Sequence, residues 1–336
     1  LHITLLISHR QSKMLRKPKT ITASKTAPKS LKPQRARQLI RRFHNLQKWR
    51  TTVLKKLGLH YLDLNEETYR KSLGCTYTIP YQRYKLPKST DLAPDPVILD
   101  KNASKQKLIE CLAKIDAEID QRGGLHVYQM ASTVGQDHQR GGDSLKWLVK
   151  WFEKMGRNAS LTLEIGCLSA QNAILTSGQF GEITRIDLNS QSPQILQQDF
   201  MQRPLPTNEN ERFDVISCSL VLNFVPSPAL RGEMLRRMTK FLREPGSSGE
   251  GHVSALFLVL PLPCLANSRY FDRKLLSEIM TSLGFEQIEC HEAKKVIYLL
   301  YNWNGKGSIS KLAPRKKREI YPGPSRNNFY VDMNEL

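Results

Sequence analysis

The stretch LTLEIGCLSAQNAILTSGQFGEITRID, residues 161–187, decides the fold. It opens on a short apolar run that stops at Gly166. A segment of helical character leads to Gly178, and a second apolar run stops at Asp187. Strand, helix and strand in so few residues make a βαβ unit, whose strands are parallel and whose sheet is covered on both faces. Working outward, the alternation continues. ILQQDFM (195–201) reads as a third strand ending at Asp199, and FDVISCSLVLNF (213–224) as a fourth. PSPALRGEMLRRMTKFL (226–242) is a helix, HVSALFLVLPL (252–262) a fifth strand, and RYFDRKLLSEIMTSLGF (269–285) a helix closing on Gly284. FEQIECHEAKKVIYLLYNW (285–303) reads as two last strands. The prediction is an α/β fold: a doubly wound, mostly parallel, Rossmann-like sheet with helices on both faces.

Open sheets of this kind hold ligands in the crevice beyond the carboxyl ends of their strands. Gly166 ends the first strand, where a missing Cβ lets the backbone approach a ligand closely. Asp187 ends the second strand, 21 residues later, placed to take two ribose hydroxyls. Asp199 ends the third, with Phe200 beside it, where a carboxylate can accept an adenine amino group. A lone glycine is commonly a turn, and an aspartate at a strand end is commonly a cap. In this order and on these strands, the set predicts a nucleoside site. The turn Glu164-Ile165-Gly166-Cys167-Leu168-Ser169 carries a single glycine. A dinucleotide's diphosphate wants G-x-G-x-x-G as its backbone cradle. The turn therefore suits S-adenosylmethionine, which has no phosphate.

The rest of the chain reads as extensions of that domain. The formal charge is +20, yet residues 1–60 hold 16 Lys/Arg and no acid, 61–154 hold 14 against 13, 155–300 hold 14 against 15, and 301–336 hold 7 against 3. A neutral middle with basic ends calls for a polyanionic partner. Met14 opens MLRKPKTITASKTAPKS, which reads as a genuine start, and residues up to Pro33 are too polar to pack. Leu1–Ile7 is too short an apolar run to cross a bilayer. In PQRARQLIRRFHNLQKWRTTVLKKL, the residues Leu39, Ile40, Phe43, Leu46, Trp49 and Val53 recur at helical steps among Lys and Arg. That is a basic amphipathic helix, either docked with a solvated charged face or in contact with RNA. The partition expected is a disordered basic arm (1–33), a helical N-terminal extension (34–154), the strand–helix domain (155–303) and a basic C-terminal tail (304–336). Six cysteines with no two within twenty residues exclude a CxxC zinc or redox motif and point to a reducing compartment. His126, His138, His252 and His291 show no metal spacing, so no metal site is expected. Trp147 and Trp151 lie one helical turn apart and either pack a helix on the sheet or offer a base-stacking platform.

LEIGCLSAQNAI, RIDLNSQSPQILQQDFMQRPLP and FDVISCSLVLNFVPSPALRGEMLRRMTKFL together resemble the nucleolar 25S rRNA adenine-N1 methyltransferase family. The resemblance covers about residues 155–303 and extends to the basic N-terminus. It implies a class I methyltransferase domain, S-adenosylmethionine as methyl donor, large-subunit ribosomal RNA as partner, a pre-ribosomal particle as its setting, no membrane, and a nucleolar location. By carry-over, Gly166 and Asp187 bind the cofactor; Asp199 and Phe200 at the adenine extrapolate from class I folds generally. Such folds usually carry E/D-x-G-x-G-x-G, and Leu168 and Ala170 depart from it here. Adenine N1 has a lone pair and lies on the Watson–Crick edge, so an acceptor pocket must hold an unpaired base. SLVLNFVP follows the fourth strand, where class I enzymes hold the acceptor. There Asn223 can accept from the exocyclic amine, Phe224 can stack on the base and Pro226 can shape the turn. The plain alternative is that Asn223 caps the turn and Phe224 is core. Ser217, Cys218 and Ser219 read as strand interior, and Cys167 as packing. Two other functions stay open: a catalytically silent S-adenosylmethionine sensor that regulates a protein partner, and an RNA-binding scaffold on an inactive fold.

Overall fold

A computed structural model describes residues 33–59, 66–124, 143–190, 192–225, 227–245, 253–307 and 317–334. The expected arm up to residue 32, Pro226, His126, His138 and His252 lie outside these residues. In the described chain, seven strands form one sheet: β1 (Ala159–Ile165), β2 (Phe180–Asp187), β3 (Leu196–Gln197), β4 (Val215–Ser219), β5 (Ala255–Pro261), β6 (Phe285–Glu292) and β7 (Val296–Trp303). Their order is β3-β2-β1-β4-β5-β7-β6. All neighbours run parallel except β7, which is antiparallel to β5 and β6. From β1 the chain winds outward to β2 and β3, then crosses back to β4, pairing Leu163 with both Thr184 and Ile216. That reversal opens a crevice beyond the ends of β1 and β4.

The sequence shows why these runs are strands. β5, ALFLVLP, is buried at every position but its last, which is the continuous apolar pattern of a strand covered on both faces. β6, at the sheet edge, is largely exposed. The core on one face gathers Leu163, Ile216, Leu258 and Leu299 with helix α8 (Pro228–Phe241) and helix α9 (Arg273–Ser282). The other face meets α6 (Leu145–Met155), whose Leu145, Leu148, Trp151 and Phe152 share one helical face and pack on Ala159, Phe180, Val215 and Phe257. Burial of each large α6 side chain contributes about 1.5–3 kcal/mol.

Four expectations are corrected here. The third strand is only two residues long, because Asp199 leaves it to cap the turn Phe200–Gln202, its Oδ1 accepting from the Met201 N–H at 2.8 Å. The helix between β1 and β2 is only α7 (Ala173–Thr176). The α6 helix, assigned to the N-terminal extension, covers the sheet. The C-terminal segment is no simple tail, since Phe329, Tyr330 and Val331 are buried in the sheet's core. It crosses α8 so closely that a Cβ on Gly232 would lie 1.8 Å from the Asp332 carbonyl oxygen.

The N-terminal helices are α1 (Pro33–Lys56), α2 (Glu66–Ser72), α3 (Gly74–Arg83), α4 (Pro96–Leu99) and α5 (Lys105–Gln121), packed through Leu46, Val53, Tyr77, Leu108 and Leu112. The basic face of α1 is only partly solvated. Arg42 grips both oxygens of buried Glu118 at 2.7 Å, and Arg50 Nε donates to Asp116 Oδ1 at 2.7 Å. The Tyr69 and Tyr77 hydroxyls donate to Asp116 Oδ2 at 2.6 and 2.7 Å. These arginines are interior ligands of α5, while Arg41, Lys48, Lys55 and Lys56 face solvent. Residues Leu31–Leu336 form one unit, so contacts between α1 and the sheet's loops belong to the fold.

Candidate functional site

The crevice is built from the turn after β1 and the turn after β4. Gly166 has φ +75°, and its N–H donates to the Ile186 carbonyl at 2.8 Å. A Cβ there would lie 2.4 Å from Val221 Cγ2. Glycine is therefore required twice, by the left-handed backbone and by the approach of the β4 turn. Two residues earlier, the buried Glu164 carboxylate accepts from Asn172 Nδ2 with both oxygens, at 3.0 and 2.9 Å, and lies 3.5 Å from Arg185 Nε. Burial pushes its carboxyl above the usual range, against the pull of Asn172, Cys167 and Arg185.

Asp187 is 8% exposed at the end of β2, and its Oδ1 accepts the Asn189 N–H at 2.8 Å. Its place beyond Gly166, on the neighbouring strand, is the one expected of a ribose ligand. Asp199 caps its turn, and burial pushes its carboxyl up, opposed by the Met201 N–H and Arg237. Phe200 is 3% exposed, its ring 5.2 Å from that of Phe241 with the Arg237 guanidinium over it. Its aromatic surface is already used in the core.

After β4 the chain turns sharply. Leu220 has φ +58°, a conformation that costs a non-glycine residue about 1–2 kcal/mol. It is held by its N–H on the Val259 carbonyl at 2.9 Å. Val221 then meets Gly166, and the Phe224 N–H closes the turn on the Val221 carbonyl at 2.8 Å. Asn223 Oδ1 is buried with no hydrogen-bond partner among the described residues. Among the described residues it caps nothing. Phe224 stacks on His44 of α1 with ring centroids 4.9 Å apart and planes 3° from parallel. Burial, helped by the Arg231 guanidinium, pushes the His44 imidazole down to about 4, so at neutral pH it is uncharged. Cys218 is fully buried in β4 and its thiol is pushed up to about 12, the profile of a packing residue. Cys167 is likewise buried and its thiol raised, by burial first. Trp151 packs on Phe257 with centroids 6.0 Å apart, and Trp147 is covered by His291 at 3.8 Å, so both tryptophans serve the sheet.

Three contributors were not read from the sequence. Asp143 Oδ2 accepts the Ala173 N–H at 2.6 Å, and its Oδ1 accepts the Leu145 N–H at 2.9 Å, pinning α6 to α7. Ser144 Oγ lies 2.7 Å from Ser219 Oγ at the end of β4. An acid followed by serine before an apolar helical run was a legible helix-start signal. Nothing in the local pattern marked His44 as a partner of Phe224. Among the described residues no group of three or more His, Cys, Asp or Glu is placed to hold a metal ion, and no helix is long and apolar enough to cross a membrane.

Residues 113–331 match the family described as Bmt2, 25S rRNA (adenine(2142)-N(1))-methyltransferase. The 25S rRNA (adenine(2142)-N(1))-methyltransferase of Saccharomyces cerevisiae is 36% identical over 349 residues, covering 95% of this chain and 99% of that protein. The chain belongs to the Bmt2 family. The 25S rRNA adenine-N(1) methyltransferase of Schizosaccharomyces pombe is 40% identical over 231 residues, covering 66% of this chain and 82% of that protein. Among solved structures, the 1,6-didemethyltoxoflavin-N1-methyltransferase of Burkholderia thailandensis is similar with a TM-score of 0.40 at 13% identity, over 53% of this chain and 85% of that one. The Bmt2 match begins within α5 and ends at Val331, so it takes in both α6 and the buried C-terminal segment.

Proposed function

We infer that the protein transfers a methyl group from S-adenosylmethionine to N1 of an adenine in large-subunit ribosomal RNA. The observation that carries this reading is the buried, unpartnered Asn223 Oδ1 on a turn whose Val221 touches the Gly166 turn. A buried acceptor without a donor is costly, about 1–3 kcal/mol, and is expected where a ligand supplies the missing donor. The N6–H of an adenine is such a donor, and it sits next to N1 on the Watson–Crick edge.

Residue types in the crevice fit the cofactor. Gly166 brings bare backbone to the ligand, and Asp187 is placed for ribose hydroxyls. Bound there, S-adenosylmethionine supplies an electrophilic methyl group on a sulfonium. Adenine N1 carries its own lone pair, so it would accept that methyl group without prior deprotonation. No proton leaves, so the site needs no general base, consistent with an uncharged His44 and buried, protonated thiols. What these residues supply is position and exclusion of water. The acceptor base is flipped or unpaired, with Phe224 as its stacking neighbour. The basic excess of residues 1–60 supports binding to ribosomal RNA within a pre-ribosomal particle, and a nucleolar location.

The test is transfer of labelled methyl from S-adenosylmethionine to large-subunit rRNA lacking its own modification, with nucleoside analysis. N1-methyladenosine, lost on Gly166→Arg, supports the reading. Tight cofactor binding without transfer would overturn it in favour of a sensor.

A further inference from the structure

Arg231 is bonded beside the Asn223–Phe224 turn, and two segments distant in sequence bring Lys48 and Lys317 into its neighbourhood. Arg231 opens α8, and its Nε donates to the Val225 carbonyl at 2.9 Å, one residue beyond Phe224. Its Nη1 donates to the Tyr330 carbonyl of the C-terminal segment at 2.8 Å. Its Nη2 has no hydrogen bond and the guanidinium no ion pair among the described residues. Lys317, also from the C-terminal segment, lies with Nζ 4.0 Å from the centre of the Tyr270 ring and 5.8 Å from that of Tyr330. Arg231 and Lys317 thus share Tyr330. Lys48 stands one helical turn beyond His44, on the α1 face that reaches Phe224.

We propose that Lys48, Arg231 and Lys317 form a clasp for a backbone phosphate of the RNA beside the target adenine. The proposal rests on reading the Asn223–Phe224 turn as the acceptor site. Neighbouring cations repel one another, and a phosphodiester relieves that repulsion. Burial first, then Lys48 and Arg231, hold the Lys317 amine below the ordinary lysine range, while burial takes Arg231 down to about 10. Asp332 is the carboxylate that offsets Lys317, and its Oδ1 already accepts from the Asn334 backbone and side-chain N–H groups at 3.0 and 2.7 Å. Lys48 and Lys317 are exposed, as phosphate ligands should be. A clasp at this place would fix the register of the strand and leave base choice to the crevice.

Arg231 holds two chain segments, so the lysines are the residues to change. The full-length protein is compared with Lys48→Gln/Lys317→Gln and with Lys48→Arg/Lys317→Arg. Binding to unmodified large-subunit rRNA transcript is measured across a salt series, with cofactor affinity and melting temperature alongside. The expected result is roughly tenfold weaker RNA binding for the glutamine pair, and a log–log salt slope shallower by about 0.7 for each phosphate no longer neutralised. Cofactor affinity and melting temperature stay unchanged, and the arginine pair keeps the wild-type slope. An unchanged slope in the glutamine pair, with or without weaker binding, overturns the clasp while wild-type methylation still supports the enzyme. A wild type that neither binds nor methylates RNA overturns both.

Discussion

At the scale of single residues, Asn223 and Gly166 have opposite stability signatures. Asn223 Oδ1 bonds to nothing among the described residues, so Asn223→Ala removes a buried orphan and leaves stability unchanged or slightly raised. On the proposed reading the same change removes the acceptor for the adenine amine, and kcat/KM for RNA is expected to fall by roughly tenfold to a hundredfold, the worth of one buried hydrogen bond. Cofactor affinity is untouched. A variant that loses stability, or that methylates at the wild-type rate, would show that the side chain serves the turn instead. Gly166→Ala acts the other way. The left-handed backbone and the 2.4 Å approach of Val221 penalise any Cβ, by about 1–3 kcal/mol. Melting temperature and cofactor affinity are expected to fall together, and calorimetry showing both intact would refute the account. The strand-end places of Gly166 and Asp187 were legible in the sequence, since each closes a run of strand character. Asn223 was legible only as one of two options, since no sequence records whether a carboxamide oxygen finds a local donor.

At the scale of elements, the strands buried on both faces were legible and the short pieces were not. The runs forming β5 and β7 announce themselves by nearly continuous apolar character, and those forming β1 and β4 by apolar residues among a few polar ones. The run ILQQDFM promised as much, but Asp199 caps a turn instead of extending β3. For α6, the spacing of Trp147 and Trp151 pointed to a helix packed on the sheet, and it packs there; the Asp143 bonds that pin it to α7 were not read. The helix α1 was legible as basic and amphipathic, but not the burial of Arg42 and Arg50 or the stack of His44 on Phe224. That stack gives the docking of α1 a pH dependence. The His44 pKa falls from the ordinary 6.5 to about 4 on folding. A base with a depressed pKa contributes stability that is complete above 6.5 and is lost as pH falls toward 4. The full loss is about 3 kcal/mol. His44→Phe keeps an aromatic ring on Phe224 and cannot titrate. Melting curves from pH 7 to 4 are expected to show wild type losing stability relative to the variant across that window. Parallel curves would mean that His44 is solvated.

At the scale of the whole molecule, the charge is divided between jobs. The interior uses Arg42 and Arg50 against Glu118 and Asp116, and truncating either partner of such a buried pair costs about 3–5 kcal/mol. A deletion that probes RNA binding must therefore stop before α1, since a cut at residue 50 would remove Arg42, His44 and Arg50 together. Residues 1–32 hold eight Lys/Arg and no acid. If every one meets a phosphate, the arm accounts for up to about 6 of the salt slope, against about 0.7 for a single clasped phosphate. The arm would then provide most of the affinity and the clasp mainly the register. Deleting residues 1–32 is expected to flatten the salt dependence strongly, to leave cofactor affinity alone, and to spread a fluorescent fusion out of the nucleolus. The clasp substitutions should shift the slope slightly and leave localisation intact. Because the two lesions act on different terms, the deletion still methylates at low salt, where the arm's added attraction is least needed. The clasp variant's methylation should be impaired at every salt concentration. Identical salt profiles of methylation for the two proteins would mean that the basic end and the clasp do one job.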